Sequence, residues 1–316
     1  MISIQLSEAT YAGLSMATIL VTGGSGFIGG HFCRQATDIG WTVIVLTRKF
    51  KAAAKKLPST VRCIESLADL DTHQPIDVIL NLAGQPLAEG RWTAARKQRF
   101  VNSRIQTTNQ LYEYFSGQEI KPRVMISGSA VGYYGSSNNL LDETGATGDG
   151  FSARLCFDWE ASAKQFERLG CRVCYLRTGI VLGEQGALAK MLPAFKLALG
   201  GPIGDGKQWM SWIHIEDMVR LILYCINSEN LVGPVNATAP NPVTNRVFSK
   251  TLGAALNRPA MFAMPAPVVR LLFGEMGEAL LLQGQSVVPK KLQDSGFEFT
   301  YPQLGQALRQ LIGRNG

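Results

Sequence analysis

Thr18-Ile-Leu-Val-Thr-Gly-Gly-Ser-Gly-Phe-Ile-Gly-Gly30 decides how the rest of the chain is read. Its first residues have strand character. Three glycines follow at a spacing of three (Gly23, Gly26, Gly29), and a helical apolar pattern starts at once with Phe27, Ile28, Phe32 and Cys33. The order is strand, tight turn, helix start. Gly23 takes the turn, Gly26 lacks a Cβ and lets an anion reach the backbone, and Gly29 lets the helix lie close on the strand. The first helical N–H groups have no carbonyl of their own and face outward with the positive end of the helix dipole. A pyrophosphate suits that cradle, with Gly23, Ser25, Gly26, Phe27, Ile28 and Gly29 around it. A plain glycine-rich turn has the same pattern, so the strands downstream must arbitrate.

The next strand, Trp41 to Thr47, ends on Arg48-Lys49, and Lys51, Lys55 and Lys56 follow. An acidic residue here would hold a ribose 2′-hydroxyl. A cation accommodates a 2′-phosphate instead, so Arg48 and Lys49 point to NADP(H), the alternative being a solvated basic helix start. Val61 to Glu65 reads as a third strand, with Leu67 just after it as a cofactor contact. Val78 to Leu82 is a fourth, whose end, Leu82-Ala83-Gly84, can line the adenosine or ribose. A helix is expected from Trp92 to Phe115, its core face carrying Val101, Ile105, Thr108, Tyr112 and Phe115. A strand from Arg123 to Ser127 leads into Gly128-Ser129-Ala130-Val-Gly-Tyr133-Tyr134-Gly135. A helix from Ala153 to Leu169 precedes a strand from Arg172 to Arg177, which ends on Thr178-Gly179. Strands alternating with helices predict an α/β fold with a Rossmann-type, doubly wound parallel sheet. The candidate segments 22–29, 47–49, 82–85, 127–134 and 177–180 all fall at carboxyl ends of strands, where such sheets bind ligands.

After residue 183 the texture changes to a turn-rich segment at 200–206, a short apolar strand from Trp209 to Ile215 and a helix from Glu216 past Ile226. More helices follow near 245–256, 267–272 and 304–312. The expected organisation is an arm over 1–16, a dinucleotide-binding domain over 17–183 and a smaller carboxyl-terminal substrate lobe over 184–316, with elements free to interleave across the boundary.

Of the 316 residues, 46 % are hydrophobic and 17 % charged, the balance of a globular enzyme with a real core. The net charge of +7 suits anionic ligands, but no basic run is interleaved with aromatics, which argues against nucleic acid. Cys171 and Cys174 form a CxxC on a strand, where residues three apart face opposite ways, and no second CxxC accompanies them. The six cysteines therefore read as ordinary thiols of a cytoplasmic protein, with no metal. Residues 1–16 lack the basic start and apolar run of a secretory signal, with Met16 an alternative start, and no apolar stretch is long enough to span a membrane.

Several strings carry a resemblance. Thr22-Gly-Gly-Ser-Gly-Phe-Ile-Gly29 resembles the TGxxGxxG turn of extended short-chain dehydrogenases/reductases. Asn81-Leu-Ala-Gly84, Ser127-Gly-Ser-Ala130 and Trp212-Ile-His-Ile-Glu-Asp217 are similar to later landmarks of that superfamily, in order. More narrowly, Asn81 to Pro86, Ser103-Arg104, Gly128 to Gly135, Leu176 to Leu182, Leu199 to Gly204, Gly284-Gln285 and Val288 to Lys291 are similar to NADP-binding epimerase-family proteins of the YfcH type. The resemblance covers about residues 17 to 312. It implies a Rossmann-type cofactor domain, a small substrate lobe and a dinucleotide, without naming a substrate.

The departures from that superfamily bear on chemistry. It uses a Tyr and a Lys four residues later for proton transfer, beside a Ser. Ser129 fits the Ser position, but the Tyr position becomes Ser152 and the Lys position Cys156. Tyr133, Tyr134, Asp158, Glu160 and Lys164 are the nearest replacements, Tyr133 foremost as acid/base and Tyr134 as a pocket wall. A position usually Asn becomes Arg104, which can hold an anionic substrate. The Arg that binds a substrate pyrophosphate in nucleotide-sugar members becomes Met210. The expected site is therefore Ser129 and Tyr133 for catalysis, with Gln85, Arg104, Tyr134 and Trp212 for substrate and Thr178 and Gly179 beside the cofactor. Packing is the default alternative for Trp212, and His214 reads as structural. The two functional readings are an NADP(H)-dependent oxidoreductase or epimerase acting on an unidentified small carbonyl or hydroxyl compound, and a catalytically silent NADP(H)-sensing protein. A homodimer stays open in either case.

Overall fold

The computed structural model describes residues 17–71 and 73–313; the arm expected over 1–16 lies outside them. Seven parallel strands form the central sheet: β1 (Thr18–Thr22), β2 (Thr42–Leu46), β3 (Arg62–Ile64), β4 (Val78–Asn81), β5 (Val124–Ala130), β6 (Arg172–Thr178) and β7 (Gly233–Ala237). Their spatial order is 3-2-1-4-5-6-7. The order reverses between β1 and β4, so a crevice opens at the carboxyl ends of those two strands.

The strands are apolar on both faces, and their two-residue period sorts each side chain into one of two cores. Ile19, Val21, Val43, Val45, Val78, Leu80, Val124, Ile126, Cys174 and Leu176 join one core. The helices Phe27–Asp38 and Ile215–Asn227 pack together on that face. Leu20, Ile44, Ile79, Met125, Val173 and Tyr175 point the other way, towards Leu111, Phe115, Ala163 and Phe166. Cys171 and Cys174 lie in the cores of opposite faces, and all six cysteines are free thiols.

The sheet does not finish at residue 183. β7, which the sequence reading did not anticipate, pairs with β6, and the helix Ile215–Asn227 covers the same sheet. The chain thus leaves for the second lobe, returns to complete the sheet, and leaves again. The lobe has its own core of Leu182, Leu188, Phe195, Met210, Trp212, Phe248, Leu252, Leu304 and Leu308. The expected single strand from Trp209 to Ile215 is two short ones. Trp209–Met210 pairs antiparallel with Val243–Thr244, and Trp212–His214 pairs parallel with Ile180–Leu182. The chain changes partner at Ser211, whose hydroxyl donates to Gln285 O and accepts from Val287 N.

Candidate functional site

The cradle is built from the glycine turn. Gly23 has φ +70°, a conformation that favours glycine, and a Cβ there would lie 2.6 Å from Leu82 O. A Cβ on Gly29 would lie 2.3 Å from Gly23 O, so the turn and helix can only close on a glycine. Gly26 differs. It is exposed, its φ of −79° suits any residue, and an added Cβ would meet only Gly23 O, at 3.1 Å. A side chain at 26 thus asks the turn to give by only a few tenths of an ångström. The helix Phe27–Asp38 that it opens has no side-chain cap and no acidic residue in its first turn, so its free N–H groups await an anion from outside.

In front of the cradle lies a cavity of about 800 Å³. Gly23, Ser25, Gly26, Arg48, Lys49, Leu82, Ala83, Gly84 and Gln85 line it, as expected positions do. Thr22 fixes its floor. The Thr22 hydroxyl donates to Asn81 Oδ1 at 2.6 Å and accepts from Ala83 N, while Asn81 Nδ2 donates to Thr108 Oγ1 at 2.8 Å. Phe27, Ile28, Gly29, Leu67, Thr178 and Gly179 are not among the lining residues. The Phe27 ring packs beneath Gly183, Ile28 and Leu67 pack against the two sheet cores, and Gly179 is pressed by Ser211, whose carbonyl oxygen would lie 2.5 Å from a Cβ.

Glu65, Arg99, Asn102, Ser103, Gln106, Thr107 and Gln110 complete the wall and were missed. Their signal was present: Asn102, Gln106 and Gln110 recur every four residues as a polar stripe, opposite the face assigned to the core. That face is itself rotated by about one residue. The helix runs Ala94–Val101, widens into a π-helical turn at Asn102–Gln106 and continues as Thr107–Ser116. Its buried line is Phe100, Arg104, Thr108, Leu111 and Phe115, with Val101, Ile105 and Tyr112 half-buried. At the end of the widened turn the Arg104 carbonyl accepts from the Thr107 N–H and from Thr108 Oγ1, the latter at 2.7 Å.

Behind the carboxyl end of β5 lies a buried polar network. Ser129 donates to Glu160 Oε1 at 2.7 Å. Arg177 grips both oxygens of the same carboxylate, Nε to Oε1 and an Nη to Oε2, each at 2.9 Å. Its other Nη donates to Tyr134 Oη at 3.0 Å, and Tyr134 donates to Asn236 Oδ1 at 2.7 Å. Burial works to lower the Arg177 pKa, but the Glu160 hydrogen bonds and charge overcome it and hold the guanidinium above its usual value. The Tyr133 ring lies on the guanidinium face, 3.5 Å from centroid to carbon, and is only half-buried.

These contacts redistribute the expected roles. Tyr134 is 4 % exposed with its hydroxyl engaged on both sides, so it is a member of the network rather than a wall for substrate. Trp212 is fully buried in the second lobe's core, and its indole N–H donates to Asn241 O; it cannot line a substrate pocket. His214 is fully buried, caps the helix Ile215–Asn227 through Nδ1 and meets Gln310 through Nε2. Asp158 pairs with exposed Arg154. Cys156 is buried, and burial pushes its thiol up to about 11, so it stays a neutral thiol; a thiol has no cationic form with which to replace the Lys. Ser152 Oγ is buried with no hydrogen-bond partner. Among the described residues no cluster could hold a metal ion, and no helix is long and apolar enough to cross a membrane.

Known proteins share this arrangement. A family model described as NAD dependent epimerase/dehydratase family matches residues 19–237, the span of the sheet from β1 through β7. The chain belongs to that family. A second model, a domain of unknown function (DUF1731), matches residues 264–311 in the second lobe of this epimerase/dehydratase-family protein. The epimerase family protein YfhF of Bacillus subtilis is 39 % identical over 297 residues, 93 % of this chain and 97 % of the relative. Epimerase family protein ML0860 of Mycobacterium leprae is 38 % identical, covering 92 % and 94 %. Among solved structures, human epimerase family protein SDR39U1 with NADPH has a TM-score of 0.84 at 33 % identity, covering 94 % of this chain and 99 % of that one. UDP-glucuronic acid 4-epimerase of Bacillus cereus, at TM-score 0.75 and 19 % identity, shares the fold, covering 95 % of this chain and all of its own. Membership of the epimerase/dehydratase family places the chain in the NAD(P)-binding, epimerase-like class.

Proposed function

We propose that the protein binds NADP(H) in the crevice between β1 and β4 and acts as an oxidoreductase or epimerase on a small carbonyl or hydroxyl compound. The carrying observation is the uncapped helix N-terminus behind Gly26, opening on a cavity that ends on Arg48 and Lys49. The NADPH held by the human relative's structure supports the same cofactor. The residues fit the group. The glycine cradle leaves room and free N–H donors for a pyrophosphate, and two cations stand where a 2′-phosphate would come. When bound, the nicotinamide supplies hydride exchange.

The chain's own residues hold the substrate and move the proton. Ser129 gives its hydrogen to Glu160, so in this reading its oxygen serves as the acceptor for a substrate hydroxyl. Tyr133, half-buried with its ring on the guanidinium face of Arg177, is the exchangeable acid of this reading. A second reading, a dinucleotide-responsive protein without turnover, draws on Ser152 and Cys156 occupying the places of the superfamily's Tyr and Lys.

Arg48→Ala is expected to weaken NADPH by roughly 10- to 100-fold and NADH by less than about threefold, because only NADPH carries the 2′-phosphate. Fluorescence titration with both cofactors checks this; equal loss for the two overturns the NADP(H) preference. Ser129→Ala should lower turnover of any hydroxyl substrate about 100-fold or more while leaving NADPH affinity within about twofold. Single-turnover reduction of bound NADP+ against a pool of hydroxyl metabolites reads it. Tight NADP(H) binding with no turnover by any pool would favour the sensing role.

A further inference from the structure

We propose that the buried guanidinium of Arg104 is the receptor for a carboxylate on the substrate, so that the carbonyl or hydroxyl compound acted on is a small oxo acid or hydroxy acid. The proposal rests on the cofactor-dependent reading above and names its substrate class.

Arg104 leaves the π-helical turn and lies directly behind the cavity wall. Three lining residues, Gly84, Gln85 and Ser103, lie against its guanidinium. A Cβ on Gly84 would lie 2.8 Å from the guanidinium carbon, so the glycine lets the charge come up to the lining. The residue is 9 % exposed. It donates to uncharged acceptors: Gln85 O at 3.0 Å, Phe100 O at 3.3 Å and Ser103 Oγ at 3.5 Å. Those bonds hold the loop at 84–86 against the helix, but they do not neutralise a cation. The buried carboxylate of the neighbouring network, Glu160, is taken by Arg177 and Ser129. Burial pulls the Arg104 pKa down to about 10, which leaves it charged at neutral pH. An uncompensated buried cation is costly, and an incoming anion removes that cost.

A second, independent observation marks the same place. The guanidinium lies over the Trp159 ring, 5.2 Å from its centroid, and the Trp159 indole N–H is buried with no hydrogen-bond partner. Trp159 is 7 % exposed, and its ring edge fills the space that a Cβ on Gly128 would need, at 2.6 Å. Ser152 Oγ, also buried and unpartnered, belongs to the same helix as Trp159. A fixed cation and an orphaned indole donor thus stand together, the indole ring lying against Gly128 of β5, next to Ser129. The pyrophosphate of a dinucleotide has its own donors at the glycine turn, so this cation is left for a different anion. A planar fork of N–H donors matches a carboxylate. Ser129 lies on the adjacent strand to place the neighbouring oxygen.

The test uses the full-length protein and oxalate, a carboxylate with an adjacent carboxyl oxygen, with oxamide and sulfate as neutral and tetrahedral controls. In the presence of saturating NADP+, 10 mM oxalate (on the order of tenfold above its expected Kd) should raise the melting temperature by about 2 °C or more, and oxamide and sulfate should not. In Arg104→Met the oxalate shift should vanish, and in Arg104→Lys, which keeps the charge and loses the fork, it should shrink. NADPH affinity should stay within about threefold in both. A purely structural Arg104 would lower the melting temperature of the variants but leave the oxalate shift intact, and that result overturns the proposal. So does protection by sulfate equal to that by oxalate, or the absence of an oxalate shift in the wild type. A tenfold or greater loss of NADPH affinity in both variants would assign the guanidinium to the cofactor instead. Failure of the wild type to bind NADPH at all would sink the cofactor reading itself, which the NADPH titration reports separately.

Discussion

Arg177→Met is expected to lower the folding stability by about 3–5 kcal/mol, measured by urea unfolding. Arg177 is 4 % exposed and Glu160 9 %, and the pair shares two hydrogen bonds of 2.9 Å. The methionine retains most of the stem volume, so the loss is electrostatic rather than a cavity. Glu160 would keep only the Ser129 hydroxyl as a donor and remain a buried charge without a counter-ion. Tyr134 would lose one partner, and the carbonyl of Glu143, which accepts from the same Nη at 3.4 Å, another. Since the network joins β5, β6, β7 and the helix Phe151–Lys164, its disruption should reach the whole unfolding transition. The second variant isolates the cause. Arg177→Met with Glu160→Gln removes the stranded charge and should recover about 1 kcal/mol or more relative to Arg177→Met alone. No recovery would mean that Arg177 acts through packing on Tyr133 and Tyr134 instead.

That network also shows where sequence reading stops. The sheet was legible because each strand is short, apolar and followed by a change of texture, and because the glycine spacing at 23, 26 and 29 has a steric meaning. β7 escaped because Gly233-Pro-Val-Asn-Ala237 has little strand character of its own; it is held by its register with β6. Glu160 stood only among five candidate replacements for the missing pair, since nothing local says that a glutamate on a helix will face inward. Its burial depends on Arg177, which a strand away brings the balancing charge. Trp212 failed for a related reason. Its short strand sits where the lobes meet, and the side on which the indole falls is decided by Phe248, Leu252 and Leu308, far along the chain. Arg104 was recognised as a departure but not as a member of the helix's buried line, because a charged residue carries no signal of burial in an apolar pattern. The cavity-lining stripe at 102, 106 and 110 was missed through attention to the opposite face.

Gly26→Val should abolish measurable NADPH binding, a loss of about 100-fold or more, while changing the melting temperature by only a few degrees. The prediction depends on a contrast within one turn. At Gly23 and Gly29 a side chain collides with the protein's own backbone, at 2.6 Å and 2.3 Å, so substitution there would damage the fold and say nothing about a ligand. At Gly26 the nearest internal atom to an added Cβ is 3.1 Å away, the backbone is extended at φ −79°, and valine is at ease in that conformation. The folded protein therefore loses a helix-cap preference of about 1 kcal/mol and a small adjustment of the Gly23 carbonyl, well short of the collisions at Gly23 and Gly29. What valine does fill is the space in front of the free N–H groups of the helix Phe27–Asp38, where a pyrophosphate has to reach the backbone. Paired with Gly29→Ala as the fold-damaging control, the variant separates a glycine required by a ligand from one required by the chain. A folded Gly26→Val protein that still binds NADPH within about tenfold of the wild type would show that the cradle is not where the pyrophosphate sits.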